Sequence, residues 1–86
     1  MDNKVEQRWI TISYTGSLPS NIIYIHNMYV EDDINYSGST PSSITINGNT
    51  FSIVDDSVRE FRDIHVTSLA KAGGATITAL VSREVS

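Results

Sequence analysis

The sequence contains no cysteine and few basic residues. Without cysteine the chain has no disulfide bonds and no thiolate metal ligands. Six Lys and Arg residues stand against ten Asp and Glu, which gives a formal net charge of −4, and the basic residues are scattered along the chain. Nucleic acids and anionic membranes attract proteins through concentrated positive charge. We therefore expect neither a nucleic acid nor a membrane as a partner.

Long apolar runs are also missing, and none approaches the roughly 20 residues of a membrane-spanning helix. The first nine residues, MDNKVEQRW, are acidic and polar where a signal peptide carries an apolar stretch. We predict that the chain has no signal peptide and is made in the cytoplasm of the producing cell.

Motifs for catalysis or cofactor binding are absent as well. The sequence has no GxSxG, GxGxxG or GxxxxGK[ST] pattern, and its two histidines, His26 and His65, stand far apart in predicted strands. Two acidic segments, residues 31–33 and 55–56, offer oxygen atoms that suit Ca²⁺ but lack the spacing of a DxDxDG loop. We predict no enzyme activity, catalytic residue, metal site, cofactor or small-molecule ligand, with Ca²⁺ at the acidic loops as the alternative.

The residues that are abundant favour β-structure. The chain has 11 Ile and 7 Val, and Ser, Thr and Asn supply 26 of its 86 residues. β-Branched side chains fit a pleated sheet and lose rotamers in a helix. We predict an all-β fold, a small and mostly antiparallel β-sandwich or partly open barrel of about six strands, with at most one short helical turn. Residues 1–8 are predicted to form an N-terminal arm and residues 9–86 a single domain.

The stretch SSITINGNTFSIVDD, residues 42–56, predicts a β-hairpin. Asn47 and Gly48 both tolerate positive φ, as the two central residues of a type I′ turn must. That turn places Ile46 opposite Asn49 and Ile44 opposite Phe51. The apolar side chains of both strands then share one face, and the Ser and Thr side chains share the other.

Two further segments lead from the hairpin to the end of the chain. Val58, Phe61 and Ile64 recur at intervals of three residues, so residues 55–63 are predicted to form a turn or short helix, capped by Asp56 or Ser57. Residues 64–69 and 75–83 are predicted to be a last pair of strands, joined by a loop in which Gly73 and Gly74 can adopt positive φ.

The segment NIIYIHNMYV, residues 21–30, is apolar on both faces when read as a strand. Such a strand is either buried on both sides or in contact with a partner, and this segment is therefore the first candidate for an interface. Trp9 and the tyrosines are the other candidate binding groups.

Residues 43–85, from ITINGNTFSI to FRDIHVTSLAKAGGATITALVSREV, resemble the small β-sandwich structural proteins of tailed bacteriophage virions, such as capsid decoration, head-fibre and tail-associated modules. The resemblance implies a non-enzymatic virion protein that binds other virion proteins and itself as a homo-oligomer. It implies Trp9, Ile23, Ile25 and Tyr29 as interface residues, with residues 1–8 becoming ordered on a neighbouring subunit.

Two other functions remain open. An acidic inhibitor of a nucleic-acid enzyme or defence system would gather residues 31–33 and 55–56 on one face, and its binding would weaken with salt. A small carbohydrate-binding module would instead expose Trp9 and the tyrosines on a flat face.

Overall fold

The structure, a computed structural model, describes residues 4–54 and 57–85. All regular structure in these residues is β-strand, which confirms the predicted all-β fold. The strands are β1 Val5–Ile12, β2 Ile22–Asp32, β3 Ser43–Ile46, β4 Asn49–Ser52, β5 Val58–His65, β6 Leu69–Ala72 and β7 Ala75–Glu84. They form two antiparallel sheets, one of four strands in the order β1-β7-β2-β5 and one of three in the order β4-β3-β6. The sheets stay open and do not close into a barrel.

Both sheets contribute to one apolar core. Because strand side chains alternate between faces, every second residue of β7 is buried in the core, from Ala75 to Val81. The buried apolar residues are Ile12, Ile25, Met28, Val30, Ile44, Ile46, Ile53, Val66, Ala75, Ile77, Ala79 and Val81. At one side of the core, the rings of Phe51 in β4 and Phe61 in β5 meet edge to face with centroids 5.2 Å apart, which joins the two sheets.

The predicted hairpin is present with its predicted register. Ile46 lies opposite Asn49 and Ile44 opposite Phe51. Asn47 and Gly48 have φ values of 52° and 85°, as a type I′ turn requires. Ile44 and Ile46 are buried. On the other face the hydroxyl oxygens of Thr45 and Thr50 lie 2.9 Å apart, within hydrogen-bond distance.

The side chain of Asn47 also holds the loop between β5 and β6. Its Nδ2 donates to the His65 carbonyl oxygen at 2.7 Å, and its Oδ1 accepts from the backbone N–H groups of Thr67 and Ser68 at 2.7 and 3.2 Å. The hairpin turn therefore fixes the point where the chain leaves the four-stranded sheet and enters the three-stranded one.

A second junction joins the ends of β2, β3 and β7. The Ser42 hydroxyl donates to the Asp32 carboxylate and accepts from the Gly74 N–H at 2.8 Å, and the Asp33 N–H donates to the Gly74 carbonyl at 2.9 Å. Ser42 is one of the few buried polar residues. Its partners satisfy hydrogen-bonding groups that burial would otherwise leave unpaired.

Strand β2 contains two irregularities. Its register with β7 shifts between Ile22 and Tyr24 and again between Ile25 and Asn27, which leaves Ile23 and His26 as extra residues. A bulge of this kind changes the face of the sheet on which the neighbouring side chains lie. Ile25 consequently lies in the core with Met28, although an odd number of positions, three, separates them along the strand. The simple alternation that an interface strand at residues 21–30 assumed is therefore wrong.

The predicted helical turn at residues 55–63 is also wrong, since residues 58–63 belong to β5; Asp55 and Asp56 lie outside the described residues. Phe61 pairs with Met28 and Ile64 pairs with Ile25, so the irregularity of β2 is matched in β5. Asp63, between them, has a φ of 55°. The three-residue apolar spacing therefore comes from an irregular strand and not from a helix.

Two other predicted boundaries need correction. Residues 5–8, predicted as part of an arm, belong to β1 and pair with β7, because Val5 lies opposite Glu84 in an unbroken antiparallel register. Residues 1–3 lie outside the described part of the chain. The predicted strand at residues 64–69 is wrong, because β5 ends at His65 and β6 begins at Leu69, and neither strand pairs with β7. Gly73 has the predicted positive φ, at 65°.

Gly73 and Gly48 provide a matched pair of alanine substitutions. Both have positive φ, but a Cβ at Gly48 would meet open space, whereas at Gly73 it would lie 2.7 Å from the backbone of Ser42. Gly48→Ala should lower the free energy of unfolding by about 1 kcal/mol through backbone strain alone. Gly73→Ala should lower it by about 3 kcal/mol or more, since the junction must also move. Urea denaturation measures both, and equal losses would contradict the close approach at Gly73.

Ile25 and Ile23 test the bulged course of β2. Ile25 has no exposed surface, and Ile23 is half-buried. Ile25→Ala should lower the free energy of unfolding by about 3 kcal/mol because it leaves a core cavity. Ile23→Ala should lower it by about 1 kcal/mol. A larger loss for Ile23 in the same denaturation measurement would mean that β2 runs without these bulges.

Candidate functional site

The outer face, defined as the face of the four-stranded sheet turned away from β4-β3-β6, is the candidate site. Pair registers place one row of side chains across all four strands at its centre. Trp9 of β1 lies opposite Leu80 of β7, Leu80 opposite Asn27 of β2, and Asn27 opposite Arg62 of β5. A second row on the same face contains Thr11, Thr78, Tyr29 and Glu60.

Large apolar and aromatic groups are exposed on this face. Trp9 is 56% exposed and Tyr29 is 38% exposed, with Leu80 half-buried between the strands that carry them. Val5 and Val58, at opposite corners, are also largely exposed. Exposed aromatic groups that share one face, unlike scattered single apolar residues, are typical of binding surfaces.

The charged groups near the centre of the face are paired. Arg62 and Glu60 form an ion pair at 2.8 Å, and this hydrogen bond and charge raise the pKa of the Arg62 guanidinium. Asn27 Nδ2 donates weakly to the Tyr29 hydroxyl at 3.4 Å, while Asn27 Oδ1 is shielded from solvent without a partner in the described residues. The middle of the face therefore carries no net charge.

The bulge residue His26 also turns toward the outer face. Its Nε2 lies 2.7 Å from the Ser82 hydroxyl oxygen, and its ring lies 4.9 Å from the ring of Tyr24. Tyr24 lies opposite both Ser82 and His65. These contacts form a polar and aromatic border beside the Trp9 row. They give His26 a structural role as a hydrogen-bonded residue of the sheet.

Of the four predicted interface residues, the structure brings two together. Trp9 and Tyr29 share the outer face. Ile25 is wrong as an interface residue, because the bulge at His26 turns it into the core. Ile23 is a half-buried bulge residue whose carbonyl accepts from the Val66 N–H at 3.0 Å. Leu80 was missed by sequence reasoning, since only its cross-strand position beside Trp9 distinguishes it from the other apolar residues of β7.

Two carboxylates of the acidic segment 31–33 accept hydrogen bonds from other residues of the domain. Asp32 accepts from Ser42, and Asp33 Oδ1 accepts from the Asn35 N–H at 2.8 Å. The second segment, Asp55 and Asp56, lies outside the described residues, so the clustering that an acidic inhibitor requires stays a prediction. Among residues 4–54 and 57–85, no three His, Asp or Glu side chains come together in a way that could hold a metal ion.

A shallow cleft of about 450 Å³ opens beside the Ser42 junction. Asp32, Tyr36 and Ser42 line the cleft, together with residues of the loop before β3 and residues 52–54 at the end of β4. The Ser42 hydroxyl is buried and is held between the Asp32 carboxylate and the Gly74 N–H, so on this side the cleft is lined by groups of the junction itself.

Comparisons with known proteins add no relative to this description. Neither the family models nor the curated proteins nor the solved structures include a match to the chain. The described residues include no helix with the length and apolar character needed to cross a membrane.

Proposed function

We propose that the protein is a non-enzymatic structural module that binds neighbouring protein subunits, copies of itself included, through the outer face. One observation carries the proposal: Trp9, more than half exposed, lies on β1 beside Leu80, on a sheet face that no other described strand covers. Tryptophan and tyrosine contribute strongly to protein interfaces because a large apolar area is removed from water at small cost in side-chain entropy.

The chemical make-up of the face supports a protein partner. Interface centres are enriched in aromatic residues and arginine and poor in unpaired charge. Trp9, Tyr29 and Leu80 supply the apolar area, and Arg62 enters already paired with Glu60. Thr11 and Thr78 lie among these large groups. Their short side chains allow a second surface to approach closely.

The size of the face indicates how it would be used. The domain is about 20 Å across its two short dimensions, and eight residues of strand extend roughly 26 Å. The face thus covers roughly 500 Å², below the roughly 800 Å² per partner of a standard stable interface. A module of this size gains strength from repeated contacts within an assembly, where each contact raises the effective concentration for the next.

We place this assembly in a virion. The support is the resemblance of residues 43–85 to bacteriophage decoration, head-fibre and tail-associated modules, and those residues form the strands β3 to β7. The protein would be made in the host cytoplasm and carried in the particle by its contacts with other virion proteins.

Substitutions on the outer face test the proposal. The double variant Tyr29→Thr/Leu80→Thr keeps β-branched residues in the strands but removes the apolar area at the centre of the face. Self-association, measured as molar mass by light scattering over a concentration series, should weaken about 100-fold, as expected for two central interface residues. It should persist at high salt in the wild type because the contact is apolar.

Ile34→Thr is the matched control, because Ile34 is 90% exposed but lies in the loop after β2. It should leave the mass unchanged. A wild type that stays monomeric at every concentration would contradict the proposal for self-assembly, and so would an unaltered mass for the double variant.

A carbohydrate-binding module is the second candidate, favoured by the exposure of Trp9 and Tyr29 on one flat face. Sugar rings stack on such side chains, and the strands that carry these two residues lie two strand spacings apart, roughly 10 Å. Trp9 is the single tryptophan of the sequence, so its fluorescence reports directly on this face.

Titration with soluble oligosaccharides of glucose, N-acetylglucosamine and galactose should shift Trp9 emission if this second function holds, and Tyr29→Thr should weaken the effect. We expect no saturable shift up to millimolar sugar under the subunit-binding proposal. A saturable shift that Tyr29→Thr weakens would favour the carbohydrate module.

A further inference from the structure

We propose that two copies of the chain pair through the open edges of their β1 strands, which joins the two four-stranded sheets into one continuous eight-stranded sheet. Within residues 4–54 and 57–85, β1 pairs on one side only, with β7. Its register runs unbroken from Val5 to Ile12, and it contains no proline. A regular edge of this length is a template for another strand.

The hydrogen-bonding groups of the open edge are identified by the ladder with β7. The Val85 N–H donates to the Lys4 carbonyl oxygen at 2.9 Å. In an antiparallel ladder the N–H and C=O of one residue point to the same side, and the side alternates along the strand. Even-numbered residues of β1 therefore bond to β7, and Val5, Gln7 and Trp9 direct their backbone groups to the open edge.

The side chains of β1 select one register for a second copy. With a twofold axis through Gln7, Glu6 lies opposite Arg8 of the second copy, and Arg8 lies opposite its Glu6. These are non-hydrogen-bonded pairs, whose side chains are the closer ones across a ladder. On the outer face the same register places Val5 against Trp9 of the second copy. Roughly six main-chain hydrogen bonds would form at Val5, Gln7 and Trp9.

Registers that shift the axis by one residue lose this complementarity. An axis through Arg8 would oppose the two Arg8 side chains, and an axis through Glu6 would oppose the two Glu6 side chains. An axis through Trp9 would place Arg8 against Ile10. Within one chain Glu6 and Arg8 already pair at 3.1 Å while each stays about half exposed, so both remain accessible to a second pair of opposite charges.

The other edge of the same sheet lacks these properties. In β5 the chain is interrupted by Asp63, whose φ of 55° breaks the regular presentation of backbone groups. Natural sheets use such irregularities to protect edges from pairing. The contrast between the two edges favours a closed pair over an open chain of sheets, because a β1 to β1 contact uses the same surface on both copies.

This pairing does not depend on the proposed function, because Glu6 and Arg8 lie on the opposite face of the sheet from Tyr29 and Leu80. It would place two outer faces side by side and double the area available to a partner. The test is therefore made in the Tyr29→Thr/Leu80→Thr background, so that association through the outer face does not contribute.

Charge reversal with rescue provides the first measurement. In that background Glu6→Arg should raise the dimer dissociation constant, measured by analytical ultracentrifugation, about tenfold or more, because it opposes like charges at two symmetric positions. Adding Arg8→Glu should restore the original value within about threefold, since opposite charges then face each other again. Ile34→Arg, which adds a positive charge in the loop after β2 and away from both surfaces, should change nothing.

Three results would overturn the pairing: a monomer at all concentrations, no effect of Glu6→Arg, or no rescue by the second reversal. Loss of assembly in Tyr29→Thr/Leu80→Thr with no response to these charges would refute the edge pairing alone. A dimer that responds to these charge reversals but has the same mass in the wild type and in Tyr29→Thr/Leu80→Thr would refute the proposed function alone.

Single cysteines test the register, because the sequence has none of its own. Two Gln7→Cys chains would meet on the twofold axis with Cα atoms about 5.5 Å apart, within reach of a disulfide bond. Mild oxidation should link this variant into a covalent dimer, whereas Thr11→Cys, farther along the same edge, should stay monomeric on a denaturing gel. Equal linkage of both variants would contradict an axis at Gln7.

Discussion

The two bulges of β2 determine which side chains this protein buries and which it exposes. A strand of strict alternation would place Ile25 with Tyr29 and leave Met28 and Val30 on the other face. The extra residues Ile23 and His26 instead bring Ile25 into the core, where its full burial contributes about 2 to 3 kcal/mol. The same bulge at His26 places Tyr24 on the outer face, where regular alternation with Met28 and Val30 already places Asn27 and Tyr29.

The hairpin is scaffold, and its turn has more than a local role. Asn47 provides the positive φ that the turn requires, and its amide group bonds the loop that carries the chain from β5 to β6. At the opposite end of β3, Ser42 connects the ends of β2 and β7. These two anchors hold a small three-stranded sheet against the four-stranded one. The larger sheet is thereby covered on one face, and its outer face is left open.

The sequence predicts most closely those features that depend on neighbouring residues. Asn47 and Gly48 specify the hairpin register because turn chemistry and alternation agree, and Gly73 is correctly expected to take positive φ. The irregular pairing of β2 with β5 could not be predicted, because the spacing of Phe61 and Ile64 has the period of a helix. Whether two residues three apart share a face of a strand depends on Asp63 and on the bulge across from it, which are long-range features.

The candidate site shows the same division. Trp9 and Tyr29 could be identified from residue type, since large aromatic groups in a small domain without catalytic motifs indicate recognition. Ile25 was misplaced by the bulge, and Leu80 became visible only through its position between β1 and β2. The open edge of β1 also depends on strand order, because nothing in residues 5–12 alone shows that β7 is their neighbour on one side and solvent on the other.

The measurement that tests the central claim most directly is the solvent access of a probe in the middle of the outer face. In the double variant Trp9→Phe/Tyr29→Trp, the one tryptophan of the chain lies on β2, two strands from the open edge. Acrylamide quenching of its fluorescence, followed over a concentration series together with the molar mass, should fall as the assembly grows, because subunits cover the face. Quenching that stays constant while the mass increases would show that the outer face remains open to water, and would contradict the account.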